Sequence, residues 1–297
     1  MRKLSCRLFM VQAALIVLLG SSCKQNATLL QSDDPLHAGW NNYSLGEFDQ
    51  AQFFFEQAVA EAPKDSDAQL TALYGLATTL NLRRPGEDPE RAQELYRRIL
   101  DTAPANDLAA WSLLALARMQ HLVPVGDDPD YEQVYKAYQD VIDRYPDRLA
   151  AKEAFLYLNS ILVATLKEPE TRRALASLDE YVKNPSNTFL GPSWSLIAVG
   201  NTTLGNQERR FEAEVKSLET TEIDPTNPFT EFAYQYWNLA TIAEFELGDF
   251  DQARLYYRKL IAEYPKDQKI YGAKQALQRM DAMEAKIREE LKEAGNP

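Results

Sequence analysis

Few residues in this sequence are placed to do chemistry. The chain holds two cysteines, Cys6 and Cys23, and two histidines, His37 and His121, far apart. No His/Cys cluster has zinc-binding spacing. No glycine-rich phosphate loop is present, and no Gly-x-Ser-x-Gly nucleophile turn appears. Acid pairs such as Glu289-Glu290 fall on helical faces, where carboxylates are ordinarily solvated. Two runs, Gly86-Glu87-Asp88-Pro89 and Gly126-Asp127-Asp128-Pro129, invite a cation-binding reading. They lack the spacing of a twelve-residue calcium loop. They read instead as helix starts, with Asp88 and Asp128 as caps and the proline in the first turn. Asp34-Pro35 and Asp224-Pro225 have the same form. The sequence is therefore read as non-catalytic, with no metal and no cofactor.

Residues 1–22 read as an export signal. Arg2, Lys3 and Arg7 are basic, Leu8 to Leu19 is apolar apart from Gln12, and Gly20, Ser21 and Ser22 are small. The apolar run has 12 residues, short of the about 20 that a membrane span needs. Cys6 lies inside this segment, so the mature chain keeps one cysteine and forms no internal disulfide. Gly20-Ser21-Ser22-Cys23 resembles the lipobox of bacterial lipoproteins, departing from it at Gly20, where Leu is usual. The resemblance implies cleavage before Cys23 and lipidation of its thiol. With Lys24 next, it also implies an outer-membrane protein facing the periplasm. Plain cleavage after Ser22 would leave a soluble periplasmic protein. Residues 23–32 are the lipidated cysteine and a tether.

Removing residues 1–22 takes away three basic residues and no acid, so the net charge falls from −12 to −15. A body of that sign repels phosphate backbones and anionic headgroups, which argues against nucleic-acid binding.

Beyond residue 33 the chain repeats itself. Pro63, Pro104, Pro146, Pro185, Pro225 and Pro265 recur at intervals of 41, 42, 39, 40 and 40. Upstream of most stands a small residue with a large one four later: Ala51/Phe55, Ala92/Tyr96, Val134/Tyr138, Ala174/Leu178 and Ala253/Tyr257. That spacing puts each pair on one helix face. Leu45-Gly46-Glu47-Phe48-Asp49-Gln50-Ala51 and Leu247-Gly248-Asp249-Phe250-Asp251-Gln252-Ala253 share one pattern. Glycine permits the tight turn between antiparallel helices, and proline ends the hairpin.

These units strongly resemble the tetratricopeptide repeat. The resemblance implies an all-α, superhelical α-solenoid of about six such hairpins over residues 33–267, at about 34–62, 66–103, 108–145, 149–184, 190–222 and 229–264. In the fifth, Leu204-Gly205-Asn206 is the turn and the small residue of the second helix is displaced. Residues 268–297 form a C-terminal capping helix, with Ala273, Ala276, Leu277, Met280, Met283 and Ile287 on one stripe.

A solenoid offers an extended surface lined by the first helix of each pair. By repeat register, the candidate partner-binding residues are Trp40, Tyr43, Gln69, Leu76, Met119, Gln120, Asn238, Ile242 and Phe245. Core packing competes with contact at each. Trp111 and Trp237 fit packed positions. Mixed amide and aromatic groups suit an extended peptide or a partner helix.

The boundaries Arg144-Tyr145-Pro146-Asp147 and Glu263-Tyr264-Pro265-Lys266-Asp267 resemble those of the BamD (YfiO) outer-membrane assembly lipoproteins. That resemblance implies a scaffold in the insertion of β-barrel proteins, although six units exceed that family's five. The alternatives are a periplasmic adaptor for peptidoglycan or secretion complexes and a glycan-binding lipoprotein. The partners expected are other envelope proteins or peptides, with the membrane engaged through the lipid.

Overall fold

The computed structural model describes residues 34–82, 84–221, 232–293 and 295. The export segment, Cys23 with its tether, and Asp224-Pro225 lie outside these. The described residues hold thirteen α-helices and no strand. They form two compact units, one ending at Ala154 and the other beginning at Phe155.

In the first unit, α1 (Pro35–Leu45) pairs with α2 (Phe48–Glu61), α3 (Asp67–Leu80) with α4 (Pro89–Thr102), and α5 (Asp107–His121) with α6 (Tyr131–Arg144); α7 (Leu149–Ala164) begins here. In the second unit α8 (Glu168–Tyr181) is followed by the hairpin of α9 (Leu190–Thr203) and α10 (Gln207–Thr220). Next comes α11 (Ala233–Thr241), continued by a π-helical turn (Ile242–Leu247) and paired with α12 (Phe250–Glu263); α13 (Ile270–Glu293) closes the chain.

Local chemistry sets most of these bounds. Asp34 and Asp88 cap α1 and α4 by accepting from Leu36 N–H and Arg91 N–H, with proline in the first turn. At α6 the cap is Asp130, not Asp128. Asp130 accepts from both Glu132 and Gln133 N–H, so its position two residues later wins. The turn glycines Gly46, Gly205 and Gly248 take φ of 80°, 70° and 67°. Between α7 and α8 the same left-handed place falls to Leu166, at φ 55°. Its N–H bonds the carbonyl three residues back, as Gly46 and Gly205 do.

All five small/large pairs are core: none of the ten side chains is more than 2% exposed. In the fifth hairpin the buried small residue is Ala213, eight residues after its turn glycine rather than five. Its partner four later is Ser217, whose hydroxyl donates to the Gly191 carbonyl (3.1 Å). A Cβ on Gly191 would stand 2.7 Å from Thr221 Oγ1, so this hairpin closes on small residues where the others use a ring or a leucine.

The boundary tyrosines tie the end of a hairpin back to the residues just before its first helix. Tyr145 O–H donates to the Pro104 carbonyl (3.0 Å), and Tyr264 Oη accepts from Phe232 N–H (2.9 Å). The capping stripe of α13 is buried only at its start, through Ala273, Ala276 and Met280. Met283 and Ile287, also expected on that stripe, are exposed, because α13 runs past the end of the hairpin it covers.

Candidate interaction surface

First helices in the interior of a stack have neighbours on nearly every side. Helix α3 touches α1, α2, α4 and α5. That coverage decides three of the nine candidate contacts. Leu76 is 2% exposed and belongs to the core cluster around Phe55. Gln69 is buried and acts as a bridge: its amide donates to the Val59 carbonyl (3.1 Å) and accepts from Asp65 N–H (2.9 Å). Ile242, 1% exposed, is also interior. None of the three presents a side chain to a partner.

Among the described residues α1 has fewer neighbours, touching α2 and α3, and Trp40 and Tyr43 stay half-buried. The Trp40 ring meets Phe55 edge-on at 5.0 Å, and Tyr43 meets Phe48 at 5.5 Å. Tyr74 on α3 packs against the same cluster. Burial pushes the Tyr43 and Tyr74 hydroxyls above the usual phenol range, opposed at both by the positive charge of Arg118 on α5. Tyr96, beneath them, is pushed up to about 12 by burial. Arg118 faces Glu153 of α7 at 3.8 Å. Tyr43, Tyr74, Arg118 and Glu153 thus give this unit one polar group on each successive first helix. Apart from Tyr43, sequence register missed them, because charge at a helix face carries no repeat signature.

Met119 and Gln120 line a recess of about 310 Å³ among α4, α5 and α6. Trp111 is half-buried.

In the second unit, Asn238 is half-buried and donates to Glu214 of α10 (3.3 Å). Burial raises the Glu214 carboxyl above the usual range, with Arg210 and Asn238 opposing. Phe245 is 66% exposed, and Tyr234, on the same helix, 65%. Arg279 of α13 lies over the Phe245 ring at 5.1 Å. Trp237, expected in the core, is half-buried between Tyr257 (5.5 Å) and Gly272. The π-helical turn shifts the side-chain register between Asn238 and Phe245. It turns Glu244 inward, where Tyr257 O–H donates to it (2.9 Å) and Arg279 Nε–H donates to its other oxygen (2.8 Å). Nothing in the sequence pattern marks that inward carboxylate.

Among the described residues no group of three or more His, Cys, Asp or Glu is placed to hold a metal, and no helix is long and apolar enough to cross a membrane.

Residues 236–267 match the tetratricopeptide repeat family. This is the unit of α11, α12 and the boundary Tyr264-Pro265. No curated protein matches the sequence. Among solved structures, the chain is similar to an assembly chaperone of RpL4 (Acl4), with 14% identity, TM-score 0.48, and 86% of this chain and 99% of that one covered. It is also similar to a tetratricopeptide repeat protein from Parabacteroides merdae, with 15% identity, TM-score 0.43, and coverage of 83% and 97%. A third is a thermophilic TPR protein in Thermus thermophilus, with 20% identity, TM-score 0.27, and coverage of 83% and 98%. The fold is an all-helical array of TPR-like hairpins, and such repeats bind other proteins or peptides.

Proposed function

We propose that this chain is a non-catalytic scaffold of the bacterial cell envelope, tethered through a lipid on Cys23 and holding other envelope proteins on its first helices. The observation that carries the holding role is the exposure of Tyr234 on α11 and of Phe245 on the π-helical turn that continues it, both about two-thirds exposed. Exposed aromatic rings on a rigid helical support are well suited to anchor a partner. The tether rests on the lipobox-like residues Gly20 to Cys23. Its finer form, a part in β-barrel assembly, rests on the Tyr-Pro boundaries. A purification from detergent-solubilised membranes tests the finer form. Recovery of a large barrel protein supports it; recovery of murein enzymes alone turns the reading to a peptidoglycan adaptor. Fractionation of Cys23→Ala tests the tether. Release into the soluble periplasm is expected, and retention on the membrane would contradict it.

A further inference from the structure

Each unit carries an apolar surface that no other described residue covers. In the first unit, the recess among α4, α5 and α6 has Leu113, Leu116 and Met119 on its floor. These side chains are half-buried and spaced to share one side of α5. Its volume of about 310 Å³ is enough for one or two large side chains. One wall carries Arg97 of α4, and the other carries Ala137 and Asp140 of α6. Arg97 and Asp140 are exposed and tied along their own helices, to Gln93 (3.0 Å) and Arg144 (3.3 Å).

In the second unit, α13 continues for thirteen residues past its last buried side chain, Met280. At 1.5 Å per residue that is about 20 Å of helix. Met283, Ile287 and Leu291 are 46%, 45% and 54% exposed and recur at spacing four, as an unbroken extension of the buried stripe. Arg288 and Glu290 stand on opposite flanks of it, since a step of one residue from Ile287 and one back from Leu291 turn to opposite sides. Their pairs within the helix are long, 3.6 Å from Arg288 to Glu284 and 3.7 Å from Glu290 to Lys286.

We propose that the recess of one copy receives the apolar stripe of α13 from a second copy, with Arg288 meeting Asp140 and Glu290 meeting Arg97. The two surfaces match in chemistry: an apolar strip with one base and one acid beside it, against an apolar floor with one acid and one base on its walls. The contact is heterologous, so it links copies head to tail. It is also small, below the area of a standard stable interface, so the association is weak and depends on concentration. This inference stands apart from the scaffold reading, which concerns the first-helix face and other proteins.

The methionines report on both surfaces. With 13C-labelled methionine methyls, a concentration series of the protein should shift the Met119 and Met283 signals together, while buried Met280 stays in place. Sedimentation velocity should show a rising mean mass over the same range. Ile287→Glu and, independently, Ala137→Glu should each weaken the association about tenfold or more, an effect of about 1.4 kcal/mol. Both sites face solvent or the recess rim, and circular dichroism checks that each variant folds. Movement of Met283 without Met119 would overturn the proposal, since it means α13 pairs with another surface. Absence of any shift, or association unchanged in both variants, would overturn it too.

Discussion

A Cβ built on Gly75 would stand 2.5 Å from the ring of Phe55. A Cβ built on Gly39 of α1 would stand 2.6 Å from the same ring, so Phe55 is gripped between two glycines on two first helices. Phe55 is fully buried, and burying such a side chain contributes about 1.5–3 kcal/mol. The ring fits there because neither glycine adds a methyl. Overpacking typically costs about 1–3 kcal/mol, against a gain of about 1 kcal/mol when helical Gly becomes Ala. Gly75→Ala should therefore destabilise the first unit, by up to about 2 kcal/mol. Denaturant unfolding followed by tryptophan fluorescence, to which Trp40 contributes from 5.0 Å beside Phe55, checks it.

Glu244 and Arg279 join the last hairpin to its cap. The Glu244 side chain is 4% exposed, and Arg279 supplies its counter-charge from α13. Removing one partner of a buried pair leaves a charge without compensation and costs about 3–5 kcal/mol when both are buried. Arg279 is half-exposed, so Arg279→Leu should cost less, about 2 kcal/mol. Hydrogen exchange should speed up in α13 and in the π-helical turn while α1 to α4 keep their protection.

Leu166 occupies a place that glycine holds in three sister hairpins, at φ 55° and 71% exposed. A left-handed conformation costs an L-residue about 1–2 kcal/mol, partly offset by the extra freedom glycine has when unfolded. Leu166→Gly should raise stability by about 0.5–1 kcal/mol, read from the denaturant midpoint at unchanged slope.

His121 Nδ1 lies 3.1 Å from the Tyr138 hydroxyl, and burial lowers the histidine below its ordinary value of 6.5. The folded state therefore binds fewer protons than the unfolded one near that pH. Its contribution is fully present above 6.5 and is lost as pH falls from there toward the lower folded value. Exchange protection of α5 and α6 should weaken across that window, and His121→Gln should remove the dependence.

Proline spacing and the small/large pairs made the hairpins legible, because turn chemistry and close packing use few residue types. Observed helices begin and end within a few residues of those expected. Legibility ended where neighbours decide. Gln69 and Leu76 sit on the expected side of α3, yet its four helical neighbours bury them. In the α11 hairpin, the π-helical turn breaks the repeat register, so Ile242 is interior while Phe245 is exposed. The fourth hairpin hides its turn because Leu166 takes the glycine position. At the Tyr-Pro boundaries, Tyr145 and Tyr264 each bond back to the start of their own hairpin, a packing role that needs no particular family.

First-helix side chains are proposed to hold other proteins. Affinity purification from cross-linked cells with the unaltered chain and with Tyr234→Ala/Phe245→Ala tests it most directly. Both rings are exposed, so the thermal midpoint should stay nearly constant. A defined set of proteins should be recovered with the unaltered chain and lost with the double variant. Equal recovery by both, or no protein above background with either, would contradict it.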